Sequence, residues 1–265
     1  MRLLKVSAVM ALAVSAAACH DSEFATPLEP GGGVRFINAV PDTGAMTMRF
    51  VDIVENSSFW NVAFRSSAVF YQRAKAGQRQ LRIFMHGTTA EVASTVVKDT
   101  VITIEDGKNY SVIVYDNARP SGPKLMVMQD DPPAPGAGQV GLRAINLAPS
   151  LGPVDVFLSA QGSSVPLPGT PTFSSVPVAG SSAYTTAAAA TYQFRVTAPA
   201  SITVLGSHNA VAGSATTVGS TSFAPGTNIA GSVVGVYIFP RSVAGSQAPQ
   251  TLTTPGMLSF WERRP

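Results

Sequence analysis

The 265-residue chain contains one cysteine, Cys19, and only three histidines, at positions 20, 86 and 208. A single cysteine cannot form an intrachain disulfide, so the fold must be held together by its apolar core. The histidines are distant from one another in sequence, and none has the Cys-pair or His-x-His spacing typical of zinc sites. The sequence therefore predicts neither a disulfide framework nor a metal site, and no motif predicts a cofactor.

Charged residues are scarce as well, at 12% of the chain, and the formal net charge is +3. Two of the positive charges, Arg2 and Lys5, lie in an N-terminal segment that we expect to be removed, which leaves 16 basic and 15 acidic residues. Such a balance does not supply the lysine- and arginine-rich surface that nucleic-acid binding requires. The composition therefore argues against a nucleic-acid partner.

The chain begins with the features of an export signal. Arg2 and Lys5 precede an apolar run at residues 6–18, which is shorter than the roughly 20 residues of a membrane-spanning helix. Small residues, Ala16 to Ala18, then stand directly before Cys19, as at a signal cleavage site. This order resembles a bacterial lipoprotein signal, in which the cysteine receives a diacylglycerol and becomes the first residue of the mature chain.

Two features refine this prediction of lipidation at Cys19. Ala16 stands where lipoprotein signals usually have leucine, and a conventional secretory signal cut near the same alanines is the alternative. His20, rather than aspartate, follows the cysteine, so the best-known inner-membrane retention signal is missing. We therefore expect an exported protein, lipid-anchored in the bacterial cell envelope at the outer membrane or the cell surface.

Two later segments of the chain begin alike. Residues 35–44 are RFINAVPDTG and residues 143–152 are RAINLAPSLG, so Arg, Ile-Asn, Pro and Gly recur at one constant offset. Weaker echoes follow in the same order: residues 62–64 with 176–178, 81–84 with 194–196, and 107–109 with 226–228. An ordered set of matches predicts a duplicated domain.

Proline- and glycine-rich stretches separate the predicted units. They indicate a flexible tether that ends in three glycines and a semi-rigid linker between the repeats. The predicted organisation is a signal peptide at residues 1–18, a tether at 19–33, a first repeat at 34–131, a linker at 132–138 and a second repeat at 139–265.

Each repeat has the pattern of β-structure. Runs rich in Val, Ile and aromatic residues at 80–85, 100–105, 111–115 and 125–129 alternate with turn signals at 105–108 and 119–123. Residues 187–190 allow a helical turn, but the flanking threonines and β-branched residues favour a loop or a strand edge. About seven short strands in about 100 residues is typical of an immunoglobulin-like sandwich. The predicted fold is all-β, with two tandem immunoglobulin-like β-sandwich domains.

These motifs resemble the exported bacterial family DUF4397. The shared features are the Arg-x-x-Asn-x-x-Pro-x-x-Gly opening, an acidic strand at residues 154–157 (VDVF) and a strand entry at 109–112 (NYSV). Residues 46–49 (MTMR) lack the acid, and residues 228–231 (NIAG) depart from the strand entry. The resemblance implies tandem β-sandwiches on a secreted or lipid-anchored protein, and the family supplies no catalytic residues to carry over.

Candidate catalytic groups have simpler explanations. Ser207 and His208 are neighbours, but adjacent residues of a strand point to opposite faces. The carboxylates at 105–106 fall in a predicted turn, and Asp130 and Asp131 open the predicted linker, so turn formation and solubility explain both pairs. Calcium held by Asp130 and Asp131 at the domain junction is the alternative for the second pair.

Asn38 and Asn146 recur at the same place in both repeats. Each is predicted either to bond to backbone groups at a strand end or to contact a ligand, and the repetition favours the structural role. Two aromatic pairs offer a platform for a sugar ring, although sandwich cores usually bury such residues; they are Phe59-Trp60 and Phe70-Tyr71.

The repeats differ in charge, with 11 basic and 10 acidic residues at 34–131 but 5 and 2 at 139–265. A surface without charge predicts packing against a partner, a surface polymer or the first domain. We therefore predict a non-enzymatic envelope lipoprotein, a surface binding or structural module for a glycan or another envelope protein. An exported hydrolase with a dispersed active site is the alternative.

Overall fold

The computed structural model describes residues 29–53, 59–68, 70–162, 167, 169–214 and 224–265. The chain divides into two units, Met1–Pro30 and Gly31–Pro265, and nearly all described residues belong to the second. Strands dominate the described residues, which confirms the predicted all-β class. Within these residues, no helix has both the length and the apolar character that crossing a membrane would require.

In the first half of the molecule, residues 31–131, the described residues form nine strands and one five-residue helix, α1. In chain order they are β1 (Gly31–Ala39), β2 (Met46–Phe50), β3 (Phe59–Val62), β4 (Ser66–Ser67), β5 (Gln72–Lys75), β6 (Gly77–Met85), α1 (Ala90–Ser94), β7 (Val96–Ile104), β8 (Asn109–Tyr115) and β9 (Lys124–Gln129). The four runs predicted as strands fall in β6 to β9, and only Glu105 lies beyond the end of its strand.

In the second half, residues 139–265, the part of the chain with assigned positions forms nine more strands and a short 3-10 turn at Pro149–Leu151. In chain order they are β10 (Gln139–Asn146), β11 (Val154–Ala160), β12 (Phe173–Val176), β13 (Gly180–Ser181), β14 (Thr185–Ala188), β15 (Tyr192–Thr197), β16 (Val204–Asn209), β17 (Val233–Phe239) and β18 (Gly256–Arg263). Of residues 187–190, Ala187 and Ala188 end β14 and the next two lie in the loop after it, so this segment is a strand end and a loop and not a helical turn.

The strands of each half form an inner and an outer sheet with corresponding orders. The inner sheets run β4-β1-β8-β9 and β13-β10-β17-β18, with β5 and β14 pairing additionally with β1 and β10. The outer sheets run β3-β2-β6-β7 and β12-β11-β15-β16. In each inner sheet the first strand pairs in parallel with a later one, β1 with β8 and β10 with β17, whereas all other ladders are antiparallel.

Three apolar cores lie between these sheets. One fills the first half between its inner and outer sheets, and a second does the same in the second half. The third joins the two inner sheets and is built from β1, β8, β10 and β17; its fully buried members are Ile37, Ala39, Ile113, Ile145, Leu147, Tyr237 and Phe239. The first strand of each inner sheet is therefore buried on both faces, as parallel pairing in the middle of a sheet requires.

The three glycines predicted to end a flexible tether instead begin β1. Gly31 to Gly33 pair with β5, and Gly33 also pairs with Asn109 of β8. A side chain at Gly32 would lie 2.6 Å from the carbonyl oxygen of Lys108 and 2.8 Å from that of Glu105. The prediction of flexibility was wrong here because these glycines permit close backbone approach, which a sequence cannot distinguish from linker composition.

One of the weak sequence echoes is out of register in the structure. Asn109 pairs with Gly33 at the start of β8, and the corresponding partner of Gly141 in the second half is Val233. Asn228 lies before β17, where its side chain bonds to the backbone of Gly213 instead. An additional turn lies between the Gly-x-Asn motif of the second half and β17, whereas the motif of the first half leads directly into β8. The two motifs that the sequence aligned therefore do not occupy corresponding places.

Candidate functional site

The repeated arginines of the two openings lie between the inner sheets. Arg35 of β1 is opposite Ser111 of β8, and Arg143 of β10 is opposite Gly235 of β17. Alternate residues of β1 face the first core, so the intervening Arg35 points toward the other half. Its side chain has no solvent exposure, and Arg143 is nearly as buried. Two guanidinium groups are therefore enclosed at the boundary between the halves.

Two buried carboxylates accompany these arginines, Asp130 after β9 and Glu262 in β18. Asp130 lies two residues beyond the strand partner of Ser111, and Glu262 lies two residues beyond that of Gly235. The two acids therefore occupy corresponding places in the two halves. Arg143 donates from Nε to Glu262 Oε1 at 2.9 Å and from Nη2 to Asp130 Oδ1, and Arg35 Nη2 lies 3.6 Å from Asp130 Oδ2. The bond between Arg143 and Asp130 joins the two halves directly.

A tyrosine completes each arginine–carboxylate pair. The guanidinium carbon of Arg35 lies 4.7 Å from the ring centre of Tyr71, and that of Arg143 lies 4.8 Å from the ring centre of Tyr184. Tyr71 donates its hydroxyl to Asp130 Oδ2 at 2.7 Å. Tyr184 donates to Glu262 Oε2 at 2.9 Å. The same three-residue arrangement thus occurs twice; we call the six residues the junction cluster.

Other contacts make the junction cluster asymmetric. Tyr237 of β17 donates its hydroxyl to Glu262 Oε1 at 3.0 Å and accepts a bond from Arg35 Nη2 at 3.1 Å. Ser111 donates to Asp130 Oδ2 at 2.5 Å. The corresponding residue in the second half is Gly235, where any side chain would collide with the Glu262 carboxylate. The glycine therefore leaves the space that the glutamate occupies.

The electrostatics of the junction cluster are balanced, since two guanidinium groups face two carboxyl groups. Burial raises the pKa of Glu262 above its ordinary value, and the charge of Arg143 opposes this shift. Burial also raises the pKa values of Tyr71, Tyr184 and Tyr237, so their hydroxyls remain protonated donors at neutral pH. Removing one charged member would leave another buried without its partner, which is costly. These buried charge pairs are therefore suited to fixing the position of one half against the other.

A cleft of about 370 Å³ opens beside the junction cluster, and we call it the junction cleft. Its aromatic wall consists of Phe70, Tyr71 and Trp261; the ring centres of Phe70 and Trp261 are 6.3 Å apart, and those of Tyr71 and Trp261 are 5.6 Å apart. The guanidinium carbon of Arg264 lies 4.9 Å from the ring centre of Trp261. Asn109 and Asp131 also line this space. Of the two aromatic pairs proposed from sequence, the pair at 70–71 lies here, whereas the side chains of the pair at 59–60 are outside the description.

A second cleft, of about 640 Å³, lies at the turns that follow β1 and β10. Pro41 and Pro149 of the repeated openings line it, together with Asn117, Arg241 and Gln250. These side chains come from both halves, so the repeated motif supplies its arginines to the junction cluster and its prolines to this second cleft.

Asn38 and Asn146 are fully buried just before these prolines. Asn38 donates to the carbonyl of Val62 at 3.0 Å and accepts from the amide of Val40 at 3.1 Å. Asn146 donates to the carbonyls of Val176 and Gly152, and it accepts from the amide of Ala148 at 3.0 Å. Both side chains thus bond to the backbone of their own half, in the manner of an amide that fixes a strand end.

The other sequence candidates are dispersed. His208 Nε2 lies 3.0 Å from Ser259 Oγ, and Ser207 is exposed on the opposite face of its strand. Asp106 accepts a bond from the Gly31 amide at 2.7 Å. Among the residues with assigned positions, no group of three His, Cys, Asp or Glu side chains is arranged to hold a metal ion. Cys19 and His20 lie outside the described residues.

The interpretation of Asp130 as a solvated linker residue was wrong. Asp131 is exposed and pairs with Lys108 at 2.7 Å, but Asp130 is buried among the arginines and tyrosines. Arg35 and Arg143 were missed as well, although a charge that recurs inside two apolar strands was a signal for them. Glu262 and Tyr237 gave no such signal, since their role depends on contacts between distant segments.

Comparison with known families finds one match. Residues 32–157 match the family model described as Domain of unknown function (DUF4397), which confirms the resemblance over this part of the chain. The matched segment begins in β1 and ends within β11, so it includes nearly all of the first half, β10 and part of β11. A search of curated proteins finds no match to the chain.

Proposed function

We propose that this chain is a lipid-anchored, non-enzymatic binding module of the bacterial cell envelope, built from two tandem immunoglobulin-like domains of the DUF4397 type. The junction cluster carries this proposal, because it joins both halves into one body and supports a cleft with an exposed aromatic wall. A binding module needs such a rigid scaffold with accessible side chains at its surface.

The corresponding strand orders and the two arginine–tyrosine–carboxylate groups support the tandem arrangement. The opening motif of each half places an arginine at the boundary between the halves, and each arginine has a tyrosine and a carboxylate beside it. Duplication of one domain explains this correspondence more simply than independent origin, because the contacts involve side chains far apart in sequence.

The chemistry of the junction cluster favours binding over hydrolysis. A glycosidase-type pair needs one carboxyl group free to donate a proton and another free to activate water or attack. Asp130 and Glu262 instead accept bonds from arginines and tyrosines. The hydrolase alternative predicts turnover that disappears when a single carboxyl or imidazole group is removed. Screening the purified chain against envelope polysaccharides, peptides and esters tests this alternative directly.

The proposed anchor is Cys19, and the apolar run with small residues before it supports this assignment. Cells that express the full chain or its Cys19→Ser variant should be labelled with a clickable fatty acid and fractionated. We expect label and membrane retention for the natural chain and loss of both for the variant. Retention without label in both would contradict lipid anchoring.

The binding role is tested separately from the anchor. Full-length chain solubilised from membranes should be applied to an envelope glycan array and to purified envelope fractions. Saturable binding by natural chain that survives high-stringency washing supports the module, whereas turnover of any bound polymer supports the hydrolase alternative.

A further inference from the structure

The junction cleft displays an aromatic surface that the apolar cores do not use. Phe70 is 58% exposed to solvent. Trp261 lies beside it at the end of β18 and is partly buried. An exposed aromatic pair at the mouth of a cleft is informative, since folding alone gains little from leaving these rings in water.

The walls of the cleft are held in place before any ligand arrives. Tyr71 is fixed by its bond to Asp130, and the carbonyl of Trp261 accepts a bond from Arg35 Nη1 at 2.9 Å. Trp261 also pairs with Val234 across the inner sheet of the second half. Binding to a site that is already ordered loses little conformational freedom.

The mouth of the cleft carries an excess of positive charge. Arg263 and Arg264 are both exposed at its rim, and Asp131 is its exposed carboxylate. Lys108 forms an ion pair with Asp131 at 2.7 Å, so that acid is already balanced. The Arg264 guanidinium carbon lies near both rings, 4.9 Å from the centre of Trp261 and 5.9 Å from that of Phe70. An anionic group therefore has cationic partners directly beside an apolar face.

We propose that the junction cleft binds an acidic saccharide, a pyranose ring that carries a carboxylate. One face of a pyranose consists of C–H groups that stack on an aromatic ring, which Phe70 presents to solvent. The carboxylate pairs with Arg264 and Arg263, and hydroxyl groups bond to Asn109 and Asp131. A volume of about 370 Å³ lies within the range of small-ligand pockets. This inference rests on the proposed binding function and names its ligand class.

Corresponding positions of the two halves predict the stoichiometry. Ala183 precedes Tyr184 where Phe70 precedes Tyr71, and Gln129 precedes Asp130 where Trp261 precedes Glu262. Phe70 and Trp261 of the aromatic wall therefore have no aromatic counterparts at the corresponding positions. One saccharide should bind per chain, although the surrounding cluster is duplicated.

Titration calorimetry with the soluble Cys19→Ser chain tests this site, using a trigalacturonate and a neutral galactose trisaccharide as probes. We expect one trigalacturonate per chain and at least about tenfold weaker binding of the neutral sugar, since a charge-assisted pair is lost. Phe70→Ala and Arg264→Ala should each weaken trigalacturonate binding by roughly tenfold or more. The matched controls Ile202→Ala and Arg241→Ala remove an exposed apolar and an exposed charged side chain elsewhere, and they should bind as the natural chain does.

The thermal melts of all four variants should match the natural chain, because each altered side chain is largely in solvent. Equal binding of both trisaccharides, equal losses in the control variants, or no saturable binding would each overturn the assignment. Binding of a neutral glycan or an acidic peptide instead would overturn the ligand class while leaving the binding function intact. Loss of membrane retention in the Cys19→Ser variant tests the lipid anchor and does not test the binding site.

Discussion

The two halves share a strand order but place their charged residues differently. Of the 20 charged residues that the structure describes at 34–131, it buries two, Arg35 and Asp130. Of the seven at 139–265 it buries four, Arg143, Asp155, Arg195 and Glu262, and the three exposed ones are all arginines. The second half therefore has most of its few charged residues inside and only three on its surface.

This difference shows that buried charges and exposed charges are constrained in different ways. Interior charges are fixed by their partners, because an isolated buried charge is costly. Exterior charges in water contribute little to stability and can be replaced by serine, threonine or alanine. The first domain was one of three partners predicted for the charge-poor half, and the third core shows that the halves do pack together. The strands of the outer sheet of the second half carry only two charged side chains, Asp155 and Arg195.

The largest effect should follow from breaking the junction cluster. Arg143→Met leaves Asp130 and Glu262 with one arginine between them, and we expect a loss of about 4 kcal/mol in the free energy of unfolding. Urea denaturation of the soluble chain measures this loss. Arg143→Met combined with Glu262→Gln restores the charge balance and should recover part of it. A loss no greater than that of the exposed-site control Arg241→Met would contradict the structural role of the cluster.

The next effect should show whether the halves contribute equally to the third core. Ile37 and Ile145 occupy corresponding positions in β1 and β10, and both are fully buried. Replacing either with alanine should lower the free energy of unfolding by about 3 kcal/mol, since each change leaves a cavity. Ile202→Ala is the control because this side chain is 88% exposed. Clearly unequal losses at the two buried positions would show that one half dominates their shared core.

A smaller loss in the free energy of unfolding should distinguish the outer sheet of the second half from that of the first. Asp155 accepts bonds from the amides of Ser175 at 2.7 Å and Ala200 at 3.0 Å, two residues with positive φ. Thr47, at the corresponding place, contacts His86 Nδ1 at 3.3 Å. Because hydrogen bonds to a charged group contribute more, Asp155→Ala should cost about 2 kcal/mol and Thr47→Ala about 1 kcal/mol or less. Chemical denaturation at pH 7 tests this order, which would be refuted by the reverse ranking.

The smallest effect concerns pH and His208 of the second half. Burial lowers the pKa of His208, so the unfolded chain takes up its proton at a higher pH than the folded chain. Stability should therefore fall as pH decreases below about 6.5, the ordinary histidine value, toward the folded-state pKa. Melting temperatures between pH 7 and pH 5 should decrease less for His208→Gln than for the natural chain. Identical decreases would assign the pH response to other groups.

Local patterns predicted the elements of this fold better than its contacts. The β-branched runs identified β6 to β9 because alternation and turn residues act over a few positions. The recurring Arg-x-Ile-Asn opening identified the corresponding strands β1 and β10. Its arginine was nevertheless not recognised as buried, since charged side chains usually face solvent.

The remaining features depend on how distant segments meet. Asp130 looked like a linker residue because prolines and glycines follow it, and only packing against β10 and β18 encloses its carboxylate. Gly235 gives no hint in sequence that it makes room for Glu262. The aromatic pair at 70–71 was found, but its neighbour Trp261 lies almost two hundred residues further along the chain.

The position of β1 determines how the molecule would carry mechanical load. This first described strand is hydrogen-bonded to β8 on one side and to β4 and β5 on the other. Tension entering at Gly31 along the strand acts parallel to both ladders, so many hydrogen bonds must yield together in shear. An edge strand peeled from its end would instead lose its bonds one after another. A chain held by its N-terminal side would therefore take an applied pull on a strand that is hydrogen-bonded along both of its edges.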